Sequence, residues 1–505
     1  MVRFFELLPG ALSWGTLLGL LFLSFQLPVA VAVFIVLYDL YWFLKTIYLF
    51  FHLRFSFARM REFLQTDWLA KLQALPYRDR EPRRWDDVFH LVVLPMCREP
   101  YEVARGTFDS LANQHYPLDK LLVVLATEER GGEADAAVAA RIKEEFGPVF
   151  GGLLTTVHPD GIPGELKGKG ANETWAVKRA LEELIDRRAI PRANVLVSIF
   201  DIDTRPGLDY FGVLTYHFLS EPHGDRASYQ PIPLFTNNIH KVPIFARLIA
   251  FVATFWQFMQ QSRHDQLVTF SSHSMPLEPL VEIGFWDTDI VSEDSRIFFQ
   301  CFTRYGGDWR TVPLFYPVYM DAVSGPTTVE ALKNLYKQQR RWAWGIENIP
   351  FVFSRFVRDK TLPLRRKLLW TFLLTEGFHS WATSSFIIFL FGWLPNLLGG
   401  DEFRHSVLSV NLPSVTGFLI NLSTVGIVTF AFVSIFLTPP LPTGEPMKFR
   451  HYVYYLLQWF LIPITFIFWS AVPALEAQTR MMLGGRFKLG FWVTPKQAAG
   501  VAENR

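Results

Sequence analysis

Gln338, Arg341 and Trp342 are spaced i, i+3 and i+4, so on a helix they share one face. That face offers an amide, a guanidinium that grips phosphate oxygens in pairs, and an indole plane. It suits a pyrophosphate leaving group beside a sugar ring. Upstream, Asp201 and Asp203 follow an apolar run, 195–199, that reads as a strand. Two carboxylates two residues apart at a strand end can turn the same way and share a hard divalent cation, Mg2+ or Mn2+, which prefers oxygen ligands. Aspartates are also ordinary turn formers, and the pair alone leaves both readings open. Ser292-Glu293-Asp294 precedes a helical apolar pattern, 297–302. Asp294 is there either a cap or a general base that takes the proton of an attacking hydroxyl, and one side chain can do both. Lys167 and Lys169 lie on a glycine-containing loop, 165–170, that can approach a diphosphate or simply be solvated. Glu128 and Glu129 end another apolar run, where a nucleotide base or ribose could be read.

A globular stretch, 85–345, must position these groups. Its short apolar runs 89–94, 121–125, 153–157 and 195–200 read as buried strands, and 103–113, 134–146 and 173–188 carry helical spacing. Such alternation predicts an α/β domain with a mostly parallel sheet covered by helices. In open sheets of this kind the ligand site lies beyond the carboxyl ends of the strands. Ser271-Ser272-His273 could touch an acceptor, but closing a strand is the simpler role.

The flanks have a different texture. Half of the 505 residues are hydrophobic, 48 are Phe, and the apolar ones cluster toward both ends. A formal charge of +2 gives no field for nucleic acid, and two cysteines, Cys97 and Cys301, exclude a disulfide framework or a cysteine metal site. Residues 12–27 and 29–51, split by Pro28, are each long enough for a bilayer core that needs ~20 helical residues. They read as two spans within 1–55, or as one long kinked helix or a hairpin that dips in without crossing, and as an anchor rather than a cleavable signal. Arg54, Arg59 and Arg61 then hold a 56–84 linker in the cytosol. After an interfacial segment, 346–367, apolar runs return at 368–394, 412–437 and 452–472, within a membrane region 368–474. Glu376 and His379 inside the first should face protein or water. No repeat or low-complexity tract suggests a scaffold.

In chain order these motifs resemble the membrane-embedded family-two glycosyltransferases, especially the cellulose-synthase-like processive type. The resemblance makes Asp201 and Asp203 the metal-binding Asp-x-Asp. It makes Asp294 the acceptor-activating base of a Thr-Glu-Asp in which Ser292 replaces Thr, and Gln338, Arg341 and Trp342 the Gln-x-x-Arg-Trp helix. Residues 167–172 look like the family's Lys-x-Gly-x-x-Asn stretch, but Lys169 stands where a Gly is expected, so Lys167 and Lys169 both qualify as the diphosphate lysine. Phe491, Val493, Thr494 and Lys496 fit the Phe-x-Val-Thr-x-Lys gating loop. The implied fold is a cytosolic, Rossmann-like type-A glycosyltransferase domain with transmembrane helices at both ends, in the inner or cell membrane.

The expected chemistry is metal-dependent, inverting transfer from a nucleotide-diphosphate donor, expected to be a UDP-sugar, to a growing glycan. Glu128, Lys167, Lys169, Asp201 and Arg341 would hold the donor. One alternative is a non-processive transferase adding a single sugar to a lipid or other acceptor. A transporter with a cytosolic binding domain is remote, because it leaves the motif order unexplained. One conflict stands out: two spans before the domain and three after it would strand Thr494 outside. The tail 475–505 carries Arg480, Arg486, Lys488, Lys496 and Arg505 against Glu476 and Glu503, which favours the cytosol. Pro463 splits the last apolar run, so the run is expected to be re-entrant or in-plane, or else another span is miscounted.

Overall fold

The structure, a computed structural model, describes residues 1–76, 84–441 and 446–496, with Val425 described by its backbone only. The end of the linker (77–83) and tail residues Glu503 and Arg505 lie outside the described residues.

Residues 85–347 fold around an eight-stranded mixed sheet of order β3-β2-β1-β4-β7-β6-β8-β5. Strands β1 (Phe89–Pro95), β2 (Leu121–Glu128), β3 (Gly152–His158) and β4 (Val195–Ile199) are parallel, with Val92 opposite Val123 on one side and Ser198 on the other. Helices cover both faces, so β1, β2 and β4 read as continuous apolar runs. The helices Tyr101–Ala112 and Gly132–Phe146 supply two of the crossovers. Beyond β4 the sheet becomes mixed: β7 (Ser274–Pro276) runs antiparallel to β4, β6 (Ala227–Leu234) antiparallel to β7, and β8 (Arg310–Tyr319) parallel to β6. β5 (Arg205–Pro206) closes that edge.

One helix differs from its expected bounds. The apolar spacing places it at 173–188, whereas the α-helix is Lys169–Ala180, followed by a π turn over Leu181–Ile185 and a 3-10 turn over Asp186–Arg188. The first turn, Lys169 to Asn172, carries no large apolar residue, which hides it from a hydrophobic pattern. Lys169 therefore opens a helix and is not part of a loop.

Four helical stretches are long and apolar enough to cross a membrane among the described residues: Val2–Gln26, Pro28–Leu64, Val407–Leu437 and Phe449–Leu483. A fifth arises if Leu364–Phe389 and Phe391–Leu398, bent by 50°, count as one. Charged groups in these helices turn toward protein: Glu376 accepts from Lys45 Nζ at 2.6 Å and Ser380 Oγ at 2.9 Å, and His379 Nε2 lies 2.9 Å from Thr16 Oγ1. The Phe449–Leu483 stretch packs on the other apolar helices, where Trp381 Nε1 donates to Ser470 Oγ at 2.9 Å and Gln478 Nε2 to the Phe378 carbonyl at 2.8 Å, and also on the globular part. Arg247 Nε donates to Gln458 at 2.9 Å, Trp469 Nε1 to the Leu332 carbonyl at 3.2 Å, and Arg340 to Glu476 at 2.7 Å. Its far end meets the start of the first helix, where Arg3 donates to the Met481 carbonyl at 3.2 Å and Lys488 pairs with Glu6 at 2.8 Å.

Candidate active site

Asp201 follows β4 directly, and the Lys169–Ala180 helix packs beside it. Lys169 Nζ lies 3.0 Å from Asp201 Oδ1, 3.3 Å from Glu173 Oε1 and 3.9 Å from Glu293 Oε1. Burial pulls the ammonium's pKa down, but Asp201, Glu173, Glu293 and Asp294 together push it well above the ordinary value. Burial likewise works against the Asp201 carboxylate, yet Lys169 and Lys496 hold its pKa well below the usual carboxylate range. Glu173 responds in the opposite sense: burial dominates and raises it to about 7. Glu293 is pushed well above its ordinary value by burial and by Asp294.

Asp203 is buried behind Asp201. Its Oδ2 accepts from Lys496 Nζ at 2.6 Å and from the Asp321 amide at 2.9 Å, while Oδ1 has no hydrogen-bond partner among the described residues. Asp321 is raised to about 7, by burial first and then by the Asp203 charge. Asp294 sits in the first turn of the helix Glu293–Arg304, where its Oδ1 accepts from the Ser295 amide at 2.8 Å. Burial raises its pKa, with Lys169 and Arg341 opposing.

A cavity of about 1120 Å3 gathers most of these groups, with Asp203 and Glu173 behind its wall. Glu128, Lys169, Asp201, Asp294, Gln338, Arg341 and Trp342 all line it, as do Phe491, Val493, Thr494 and Lys496 of the tail. Gln338, Arg341 and Trp342 share a face of the helix Thr328–Ala343, whose N-cap Thr327 accepts from the Glu330 amide. Arg341 Nε is buried without a hydrogen-bond partner among the described residues, and its guanidinium lies 5.2 Å from the Phe491 ring centre. Phe491 packs on Gly168 so closely that a Cβ there would lie 2.7 Å from its ring, which only glycine permits. Trp342 leans on Phe235 at 5.9 Å, and Glu128 is gripped by Arg130 at 2.6 and 2.8 Å.

One expectation needs correcting. Lys167 is not part of the cluster: it pairs at 2.8 Å with Asp160 and its side chain is 59% exposed. Lys169, one helical turn from Glu173, is the lysine at the carboxylates. Ser271, for which the sequence leaves acceptor contact and strand closure both open, donates to Asp201 Oδ2 at 2.6 Å, and His273 Nδ1 lies 3.0 Å from the Phe270 carbonyl just before β7. Sequence reasoning gave Glu293 no role of its own and did not single out Glu173 or Asp321. The i,i+4 spacing of Lys169 and Glu173 was an available signal; nothing in the sequence marked Asp321.

Among the described residues no three His, Cys, Asp or Glu side chains converge tightly enough to hold a metal by themselves. The donor set nevertheless fits a hard cation completed by phosphate oxygens. Asp201 and Asp203 are close in the chain, both face ammonium groups, and the second leaves one buried oxygen unpartnered.

The model of glycosyl transferase family group 2 matches residues 196–475, more than half of the chain. Among solved structures, the chain is similar to the mannosyltransferase PcManGT from Pyrobaculum calidifontis in complex with GDP-Man and Mn2+, at 14% identity and a TM-score of 0.41, covering 87% of this chain and 99% of that one. It is also similar to residues 1–349 of S. aureus TarS in complex with UDP-GlcNAc, at 14% identity and a TM-score of 0.31, covering 67% and 90%. None of the curated proteins matches it. The span matched by the family model includes Asp201, Asp203, Asp294 and Arg341, and the chain belongs to glycosyl transferase family group 2: it is a glycosyltransferase.

Proposed function

We propose that the protein moves a sugar from a nucleoside-diphosphate donor, expected to be a UDP-sugar, to a hydroxyl of a growing glycan, with inversion. The observation that carries this reading is the meeting of Asp294, Asp201, Lys169 and Arg341 on one cavity. Asp294 takes the proton as the acceptor oxygen bonds to the anomeric carbon, and the bond from that carbon to the diphosphate breaks on the opposite face. Lys169 and Arg341 meet the negative charge of the leaving diphosphate, aided by the low dielectric of the buried site. A divalent cation held by Asp201 and Asp203 would supply further neutralisation there. Glu128 contacts the nucleoside, and Gln338 and Trp342 support the acceptor sugar. Phe491, Val493, Thr494 and Lys496 close over the donor and exclude water.

Polymerisation is favoured over single transfer because the cavity continues between the membrane helices. Its wall there includes Asp39, Trp42, Ser384 and Ser423. Asp39 Oδ1 and Trp42 Nε1 are buried with no partner among the described residues, polar groups that sugar hydroxyls could meet within a wall that is otherwise mostly apolar, with Leu373, Ile420, Phe430 and Phe460 on it. The test is incubation of membranes with labelled UDP-glucose, UDP-N-acetylglucosamine and GDP-mannose in Mn2+ or Mg2+, with product sizing. Products one sugar longer than the acceptor would refute polymerisation, and no incorporation from any nucleotide sugar would refute the whole reading.

The contacts of Phe449–Leu483 with the globular part support an in-plane path for that stretch. Four crossings then remain, and the tail shares the cytosolic side with the catalytic domain. A cysteine placed at Lys488 is expected to react with an impermeant maleimide only in inside-out vesicles, as is one at exposed Arg141; labelling of the first in right-side-out cells would refute the arrangement.

The raised pKa of Asp294 has a kinetic consequence. The base must be ionised, so kcat/KM should fall as pH drops through that raised value, placing the acid limb above the ~3.9 of a free aspartate. A pH profile flat down to about 4 would contradict the assignment.

A further inference from the structure

Ser292 is the N-cap of the helix that carries Asp294, yet its side chain makes no cap bond. A serine here normally accepts from an amide of the first turn. Instead its hydroxyl donates to Glu347 Oε1 at 2.7 Å, and the same oxygen accepts from the Ser292 amide at 2.8 Å and the Val291 amide at 3.0 Å. Two consecutive amides and a hydroxyl thus converge on one carboxylate oxygen, a backbone nest closed by a side chain from another element. Trp344 Nε1 donates to the other oxygen at 3.0 Å. Glu347 lies just past the Thr328–Ala343 helix, so the bonds tie the end of that helix to the loop bearing the base.

A second strand of the same joint runs through Arg296, which is 5% exposed. Its Nε donates to Asn348 Oδ1 at 2.7 Å, its Nη2 to the Glu347 carbonyl at 3.0 Å and its Nη1 to Asp287 at 3.1 Å. Asn348 Nδ2 returns a bond to Ser295 Oγ at 2.9 Å, next to Asp294. Glu347 itself does not line the cavity, whereas Ser292, Asp294 and Asn348 beside it do.

We propose that Glu347 is a positioning residue that fixes the distance between the base Asp294 and the leaving-group cation Arg341. This rests on the base role proposed above for Asp294. The acceptor must attack one face of the anomeric carbon while the diphosphate leaves from the other, so the two groups must be held at a set separation across the sugar. Asp294 comes from one helix start and Arg341 from another helix end. Glu347 joins the two directly, through hydrogen bonds to a charged acceptor, the strong kind.

The test uses the full chain purified in detergent. In Glu347→Ala the Val291 and Ser292 amides lose their acceptor, and hydrogen exchange of the peptide containing them should rise, a readout that needs no substrate. With the nucleotide sugar that supports incorporation, kcat should fall about 100-fold, the cost of misplacing a reacting group by roughly an ångström, while donor KM stays nearly unchanged. Glu347→Gln keeps an acceptor oxygen for the nest and should restore both protection and rate, losing only the Trp344 bond. Unchanged kcat in Glu347→Ala, or a Gln variant that regains protection but not rate, overturns the proposal. So does a parallel loss of donor binding and melting temperature, which would mark a general structural role. Asp294→Asn is the control: if it stays active, the base reading has failed, whereas an inactive Asp294→Asn beside a fully active Glu347→Ala sinks only the positioning role.

Discussion

Asp294→Asn is expected to lower sugar incorporation by about 10³-fold, within the range a positioned general base contributes. That factor corresponds to about 4 kcal/mol of transition-state stabilisation. The substitution is close to isosteric, and an asparagine oxygen can still accept from the Ser295 amide as Asp294 Oδ1 does at 2.8 Å. The helix start, held by Glu347 through Val291 and Ser292, keeps its geometry. What disappears is the ionised oxygen that receives the proton. Donor binding should survive, because Lys169 loses only one of the four carboxylates that stabilise its charge. Incorporation of labelled sugar and calorimetric binding of UDP, measured on the same preparation, separate these effects. Residual incorporation above roughly a tenth of wild type would exclude Asp294 as the base, since removing such a group costs at least about 100-fold.

How far the sequence disclosed this molecule depended on the kind of signal each element carries. β1, β2 and β4 are covered on both faces, so they read as unbroken apolar runs, and the helices between them keep a 3.6-residue period. The other half of the sheet gave no such signal. β5 has two residues and β7 three, while β6 contains Pro231 and Pro233 and β8 contains Pro313 and Pro317, residues that argue against a strand. The sheet accommodates those in β6 with a register shift between Gln230 and Ile232.

The site shows the same division. Asp201, Asp294 and Arg341 belong to compact motifs, each legible locally. Lys169 was indistinguishable from Lys167 until the helix start was known, because two residues of phase decide whether an ammonium meets Asp201 or Asp160. Asp321 and Glu347 act through partners more than 50 residues away in the chain, and no local pattern marks such pairs. The Phe449–Leu483 stretch is a further case: its hydropathy is that of a span, and no local pattern marks its bonds to Arg247, Leu332 and Arg340 of the globular domain.

Asp201→Ala should remove activity and the response to divalent cations together. Six acidic groups cluster around Lys169 and Lys496 beside the proposed diphosphate position: Glu173, Asp201, Asp203, Glu293, Asp294 and Asp321. Burial raises Glu173 and Asp321 to about 7 and Glu293 well beyond the usual range, so part of this charge is discharged by protons near neutral pH. Asp201 is the exception, held ionised by Lys169 and Lys496. A diphosphate entering here meets like charge, at a cost of about 4 kcal/mol per pair of unit charges 4 Å apart in an effective dielectric of 20. Lys169, Lys496 and Arg341 offset some of it, but the first two are already committed to carboxylates at 3.0 and 2.6 Å. A divalent cation, for which Asp201 and Asp203 are the proposed ligands, would turn that repulsion into attraction. Wild-type protein should therefore bind UDP more tightly in Mn2+ than in EDTA, and Asp201→Ala should bind it equally weakly in both, with incorporation reduced by about 10³-fold, as when other groups that stabilise transition-state charge are lost. Equal UDP affinity with and without Mn2+ in the wild type, together with full activity in EDTA, would leave Asp201 and Asp203 as partners of the two lysines and nothing more.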